Sequence, residues 1–237
     1  MPVLSTVGAA SLRAFGAFRQ GTAAGFISAT GGTITTSGNY KYHTFTSSGT
    51  FSVSAAPSGR TIDFILVAGG GGAEANAGAG AGGVVEKLTQ SISSGSFAVT
   101  IGTGGAVGAS GNDSVFGGQT AIGGGRGNSS GIGASGGSGG GGSTGGGTAL
   151  QPTSASGGYG YAGSTGNGGG GGSAASSNNS GDPYFSTTFN ASYAEGGPTD
   201  SIHEGPSLPG SGGGYNTTTS TSYAGSNGVL VVRYLYQ

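Results

Sequence analysis

The 237-residue chain contains no cysteine and no tryptophan, and lysine and arginine together number seven. Without cysteine there is no disulfide framework and no thiolate metal site. Its two histidines, His43 and His203, stand outside any HxH or HExxH pattern, so neither reads as a metal ligand. They also leave little material for a nucleophile and its base. Charged residues make up 6% of the chain, with a net charge of −1. Between Arg126 and Arg233 there is no cation at all, whereas Asp182, Glu195, Asp200 and Glu204 all lie there. An acidic half of this kind does not suit a nucleic-acid partner. The spacing of the four carboxylates fits no calcium loop, and they read as solvated. No apolar run reaches the ~18–20 residues of a membrane-spanning helix. The N-terminus lacks a charged region followed by an apolar one, so no secretory signal is expected. The resulting expectations are no metal, no cofactor, no nucleic acid, no membrane insertion and no enzymatic activity.

Glycine is what the chain has in abundance, at 60 residues. Such a content alone fits a low-complexity polymer. Against that stand the lack of a collagen-like period, the low charge and the apolar β-type stretches on either side of the glycine tracts. Residues 61–83, TIDFILVAGGGGAEANAGAGAGG, organise the rest. Ile62, Phe64 and Leu66 share one face of a predicted strand, and Ile65 and Val67 the other, so the strand is expected to be covered on both sides. From Gly69 onward the side chains nearly vanish, but the peptide groups still need partners. Neighbouring glycine runs can supply them as polyglycine-II threads, which approach closely because no Cβ intervenes.

The expected fold class is all-β with a glycine-rich region: a small sheet or sandwich base, packed polyglycine-II threads and long exposed loops. Residues 1–30 read as an N-terminal docking segment in which Leu12, Phe15 and Phe18 recur every third residue. Residues 31–237 form the glycine-rich domain, with a β base at 40–122 and 228–236 and glycine tracts and loops at 123–227. Within the base, residues 31–39 read as a turn. Strands are expected at 40–46 and 50–54 about the turn Ser47-Ser48-Gly49, then at 61–67, 84–88, 97–101, 114–116, 120–122 and 228–236. The densest runs fall at 139–142, 145–147 and 168–172, with polar interruptions acting as turns. Residues 150–162, 176–195, 199–209 and 215–224 are rich in Ser, Thr, Asn and Tyr and read as exposed loops.

The blocks KYHTFTSSGTFSVS, ILVAGGGG, GAGGVVE, VTIGTGG, SVFGGQTAIGGG and GVLVVRY occur in that order across residues 40–234. This ordered set resembles the glycine-rich domains of bacteriophage tail fibres and tail-tip adhesins, although the glycine runs here are shorter and broken by longer polar inserts. The resemblance implies a β-layer base with packed polyglycine-II helices that present loops to the host surface. It also implies residence on the virion surface, on a tail or fibre, and the lack of a secretory signal leads to the expectation of synthesis in a host cytoplasm. The implied partners are a host surface protein or glycan and another virion tail or fibre protein, reached through the N-terminal segment. A homo-oligomer is compatible with it. Alternatives are a structural or decoration protein without a receptor role and, more remotely, an ice-binding glycine-helix bundle. The last would need a regular Ala/Thr face, which the Tyr-rich inserts do not supply.

Aromatic loops with adjacent hydroxyls make good binding surfaces, because Tyr loses little rotamer entropy and Ser, Gly and Asn adapt their hydrogen bonds. The candidate receptor-binding residues are Tyr159, Tyr161, Tyr184, Phe185, Phe189, Tyr193, Tyr215 and Tyr223, and the six tyrosines are expected to be exposed. The competing expectation is that these rings pack down over the threads, and for the two phenylalanines it carries equal weight. Leu12, Phe15 and Phe18 are the candidate virion-docking residues. Two GxGxxG matches, at Gly140, Gly142, Gly145 and at Gly158, Gly160, Gly163, lack the strand and helix context of a phosphate loop.

Overall fold

The computed structural model describes residues 25–151, 158–165, 168–172, 180–201 and 205–237. Among these the regular structure is all β. The first nine strands are β1 Ser28–Thr30, β2 Thr33–Ser37, β3 Tyr40–Phe45, β4 Gly49–Ala55, β5 Thr61–Val67, β6 Val84–Ser91, β7 Gly95–Val99, β8 Ser114–Phe116 and β9 Gln119–Ala121. The remainder are β10 Gly158–Tyr159, β11 Tyr184–Ser186, β12 Ala191–Tyr193, β13 Thr199–Asp200, β14 Tyr215–Asn216, β15 Thr221–Ser222 and β16 Val229–Leu235.

The main sheet has six antiparallel strands in the order β10-β6-β5-β16-β3-β2, and a three-stranded sheet, β1-β4-β7, packs against it. The alternation read in the sequence is realised on the two central strands. Ile62, Phe64 and Leu66 of β5 join Leu230, Val232 and Tyr234 of β16 in the core between the sheets, together with Phe45, Phe51 and Phe116. Ile65 and Val67 face the other way with Val229, Ala81, Val84 and Tyr193. The rings of the first core meet edge to face, Phe51 on Phe116 at 6.1 Å and Phe64 on Phe116 at 5.1 Å between centroids. That geometry suits their quadrupoles. His43 lies in this core with no exposed surface. Its Nδ1 is 2.8 Å from the Gly31 carbonyl and its Nε2 is 2.9 Å from the Tyr234 hydroxyl. The neutral ring satisfies both, donating from Nδ1 and accepting at Nε2, and burial holds its pKa below the ordinary 6.5.

The glycine runs are packed beside the base. Residues 78–83 are the central run, and successive peptides bond to different neighbours. Ala79 donates to the Gly213 carbonyl (2.9 Å) and accepts from Gly197 (2.8 Å). Gly80 donates to Gly125 (2.8 Å) and accepts from Gly71 (2.9 Å). Ala81 donates to Gly170 (3.0 Å) and accepts from Ser138 (3.0 Å). Three residues on, the same neighbours return: Gly82 donates to Gly210, and Gly83 donates to Ile122 and accepts from Ala68. Likewise Gly78 accepts from Gly141, three residues beyond the Ser138 that bonds Ala81. The run is thus surrounded by the segments at 68–71, 122–125, 138–141, 170, 197 and 210–213. Glycine is needed here for close approach. A Cβ on Gly80 would meet the Ser138 carbonyl oxygen at 2.2 Å, and one on Gly124 the Gly80 oxygen at 2.1 Å.

Several expectations are corrected. Strands form close to the expected 40–46 and 50–54, at Tyr40–Phe45 and Gly49–Ala55, but the turn between them carries the chain from one sheet to the other, so Phe45 and Phe51 meet across the core. Regular pairing begins at Ser28, inside the segment expected to stand apart, and Thr33–Ser37 is an edge strand where a turn was expected. The segments read as exposed loops contain paired strands and buried residues, Tyr193 and Tyr215 among them. A strand from the first of these segments, β10, closes one edge of the main sheet.

Candidate functional site

Strands β11 and β12 form a hairpin whose turn places Asn190 at a φ of 50°. Alternation on β11 sends Tyr184 and Ser186 toward the main sheet and leaves Phe185 52% exposed. The Tyr184 hydroxyl and the Ser186 hydroxyl (3.0 Å) both donate to the Glu86 carboxylate on β6. The Tyr184 ring stacks on Tyr159 at 4.2 Å. At the other end of the hairpin, Arg233 pairs with Asp63 at 3.0 Å, donates to the Thr188 carbonyl and lies over the Phe189 and Tyr40 rings. Burial and the Glu86 carboxylate raise the Tyr184 pKa well above 10 and push Tyr193 up to about 12. Burial, with Asp182 nearby, raises that of Glu195. The bonds of Tyr184 and Ser186 to Glu86, and of Arg233 to Thr188, fasten the hairpin to the sheet.

The expected exposure of the tyrosines therefore fails in part. Tyr193 and Tyr215 are buried, at 5% and 7% exposure. Tyr159, Tyr161, Tyr184, Tyr223 and Phe189 are half-buried. The cause is the lack of side chains beneath them. Tyr184 Cβ lies 2.8 Å from where a Cβ on Gly172 would stand, and the Tyr223 ring lies 3.3 Å from one on Gly205. The structure brings Tyr159, Tyr184, Phe189 and Tyr193 together on one face of the sheet. Tyr161, Tyr215 and Tyr223 instead bond through their peptides to Gly139, Pro198 and Ala73 respectively. Leu12, Phe15 and Phe18 lie outside the described residues.

A second cluster, missed by a search for aromatic loops, gathers the turns that close the glycine runs. Residues 74–77 form one such turn, with reciprocal backbone bonds between Glu74 and Ala77 (3.0–3.1 Å) and Asn76 at a φ of 55°. The Glu74 carboxylate accepts from Arg126 at 3.1 Å and from the Ser129 backbone and hydroxyl at 3.1 and 3.3 Å. The next turn joins through Gly108, which donates to Ala73 at 3.0 Å. Asn128 bonds Gly141 through its own N–H, and its side chain accepts from Ser130 (3.1 Å) and donates to Ile132 (3.0 Å). The β14–β15 hairpin is tied to the same end by the bond from Ala73 to Tyr223 (3.0 Å). Its turn, with Thr217, Thr218, Thr219 and Ser220 exposed, is folded about Asn216, whose Oδ1 accepts from Thr218 (2.9 Å) and Thr219 (3.0 Å). Val107 and Ile132 project there, 54% and 64% exposed. The sequence signal was the position of AEANA, RGNSSGI and ST between the runs, where side chains reappear.

Among the described residues no three or more His, Asp or Glu side chains converge as a metal centre. The arrangement offers hydroxyls, amides, peptide groups and isolated apolar side chains, a set suited to non-covalent contact. A search of curated proteins found no match. Residues 46–235 match a family described as a glycine-rich domain, a span that takes in strands β4 to β16 and every glycine run described above, and the chain belongs to that family.

Proposed function

We propose that this chain is a bacteriophage virion surface protein, a tail-fibre or tail-tip adhesin that holds a host surface protein or glycan by non-covalent contact. The observation that carries the reading is the gathering of run-closing turns at Glu74, where exposed Ser, Thr and Asn side chains are held on a bundle bonded through its own peptides. Preorganised hydroxyl and amide groups bind with little further ordering. The ordered sequence blocks supply the virion context. The glycine runs act as polyglycine-II threads in this reading, supported by the return of four of the central run's neighbouring segments after three residues. Phe185, exposed on the hairpin, is a second contact.

The test replaces Ser129, Ser130, Thr217 and Thr218 together with lysine and measures adsorption of particles carrying the variant. All four are surface residues. Adsorption is expected to fall at least about tenfold, corresponding to ~1.4 kcal/mol of binding, with thermal melting unchanged. Unchanged adsorption of a folded variant counts against the reading. Imaging of particles gives an independent arm, because a head location in many copies would favour a decoration protein.

A further inference from the structure

Between the two sheets, on the side of β7, a groove of about 500 Å³ opens. Its walls are Ile62, Phe64, Ile92, Phe97, Val115 and Phe116, and its rim is uncharged. Ile62, Phe64 and Phe116 are buried as its floor, but Ile92 and Phe97 are half-covered and Val115 is 39% exposed. An apolar recess of this kind on a domain surface marks a contact site.

The chain that precedes the described domain leaves it close to this groove. Gly25 is held by Arg60, whose Nε donates to the Gly25 carbonyl at 3.1 Å and whose guanidinium lies over Phe26 at 4.6 Å. The residue after Arg60, Thr61, pairs with Ser91 on the groove rim, and Ile62 in the groove wall follows. Twenty-four residues come before Gly25, and their largest apolar side chains include Leu12, Phe15 and Phe18 at every third position. Phe18 is seven residues from Gly25, a tether that reaches about 23–25 Å when extended.

We infer that the groove is the seat of the chain's own N-terminal segment, with Leu12, Phe15 and Phe18 as its anchors. The triad read from the sequence as a virion-docking face is then first satisfied within the chain that carries it. The short tether holds the segment at an effective concentration on the order of millimolar, so even weak apolar contacts keep it seated. This does not depend on the adhesive reading, since no groove-lining residue belongs to the Glu74 cluster.

The absence of cysteine makes the test direct. Ala17→Cys is combined with Ser96→Cys on the groove rim in the full-length chain, leaving the three anchors in place. Ala17→Cys with Thr35→Cys, on the distant edge strand β2, is the control. Mild oxidation at micromolar protein is expected to give an intramolecular disulfide at least about tenfold faster for the groove pair than for the control. Adding Phe15→Ser and Phe18→Ser is expected to abolish that preference. Equal rates for groove and control pairs, a disulfide that forms only between two molecules, or a preference that survives loss of both phenylalanines would each overturn the inference. Hydrogen exchange gives a check free of introduced thiols. Deletion of residues 1–24 is expected to speed exchange at 95–99 and 114–121 and to leave the glycine runs unchanged, and no change at 95–99 would also overturn it.

Discussion

The molecule has two interiors built on opposite terms. In the base, Phe51, Phe64, Phe116 and their neighbours exclude water with side chains, and the backbone is satisfied by strand pairing. In the glycine bundle there is almost nothing between one peptide plane and the next, and the backbone itself is the packing surface. The base draws on the hydrophobic effect, at roughly 1.5–3 kcal/mol for each large buried side chain. The bundle has little of that term beyond buried alanines such as Ala79 and Ala81. It must offset the high entropy of ordering glycine with hydrogen bonds worth a net ~1 kcal/mol each. The base therefore tolerates substitutions of similar shape, whereas the bundle tolerates sequence change only where a peptide faces outward or where room for a methyl was left, as at Ala79 and Ala81.

The contrast can be broken most severely at Gly124, where an added Cβ would strike the Gly80 and Ala81 backbone. Gly124→Ala is expected to lose roughly 4 kcal/mol or more, since neither run can retreat without breaking bonds to its other neighbours. Urea denaturation measures this, and a midpoint equal to the parent's would remove the case for a packed bundle. In the base, Phe51→Ala opens a cavity at a side chain with no exposure, for an expected loss of about 3–4 kcal/mol. Amide exchange separates the two variants. Gly124→Ala should raise exchange first in the runs, and Phe51→Ala first in β3, β4 and β7.

A smaller effect follows from His43. Its folded pKa lies below 6.5, so under acid conditions the unfolded chain takes up a proton that the folded chain refuses. The His43 contribution is complete above about pH 6.5 and declines as pH falls from there through the folded pKa. Melting temperatures between about pH 7 and pH 5 should decline, and His43→Gln should flatten that slope. The smallest expected change is Gly118→Ala. Gly118 has a φ of 74°, and a methyl added there would meet nothing within 4 Å. Only the left-handed backbone opposes the substitution, by about 1–2 kcal/mol. The gap between Gly118 and Gly124 thus separates glycine used for a turn from glycine used for contact.

Much of the base could be read from residues alone. The two-sided apolar pattern of β5 and β16 marks both cores, because a central strand has to be apolar on each face. β2 escaped notice because TITTS is exposed along its whole length and shows no alternation. The change of sheet at Ser47-Ser48-Gly49 was hidden because a turn motif does not say which strand it delivers the chain to. Burial of Tyr193 and Tyr215 was hidden for a different reason. A ring's depth is set by the hollow that glycines of other runs leave around it, and sequence order does not say which runs those are. The Glu74 cluster was legible only as polar interruptions, since the convergence of four turns depends on how the runs lie side by side.

The three-residue return of neighbours along the central run has a consequence for how such a molecule can vary. Lengthening a run by a multiple of three advances its cap without changing which flanking segment each peptide meets, whereas one or two extra residues would rotate every donor toward the wrong partner. Insertions and deletions in threes, placed just beneath a cap, are therefore a route by which the contact end can be raised, lowered or re-tilted in steps while the scaffold below stays the same.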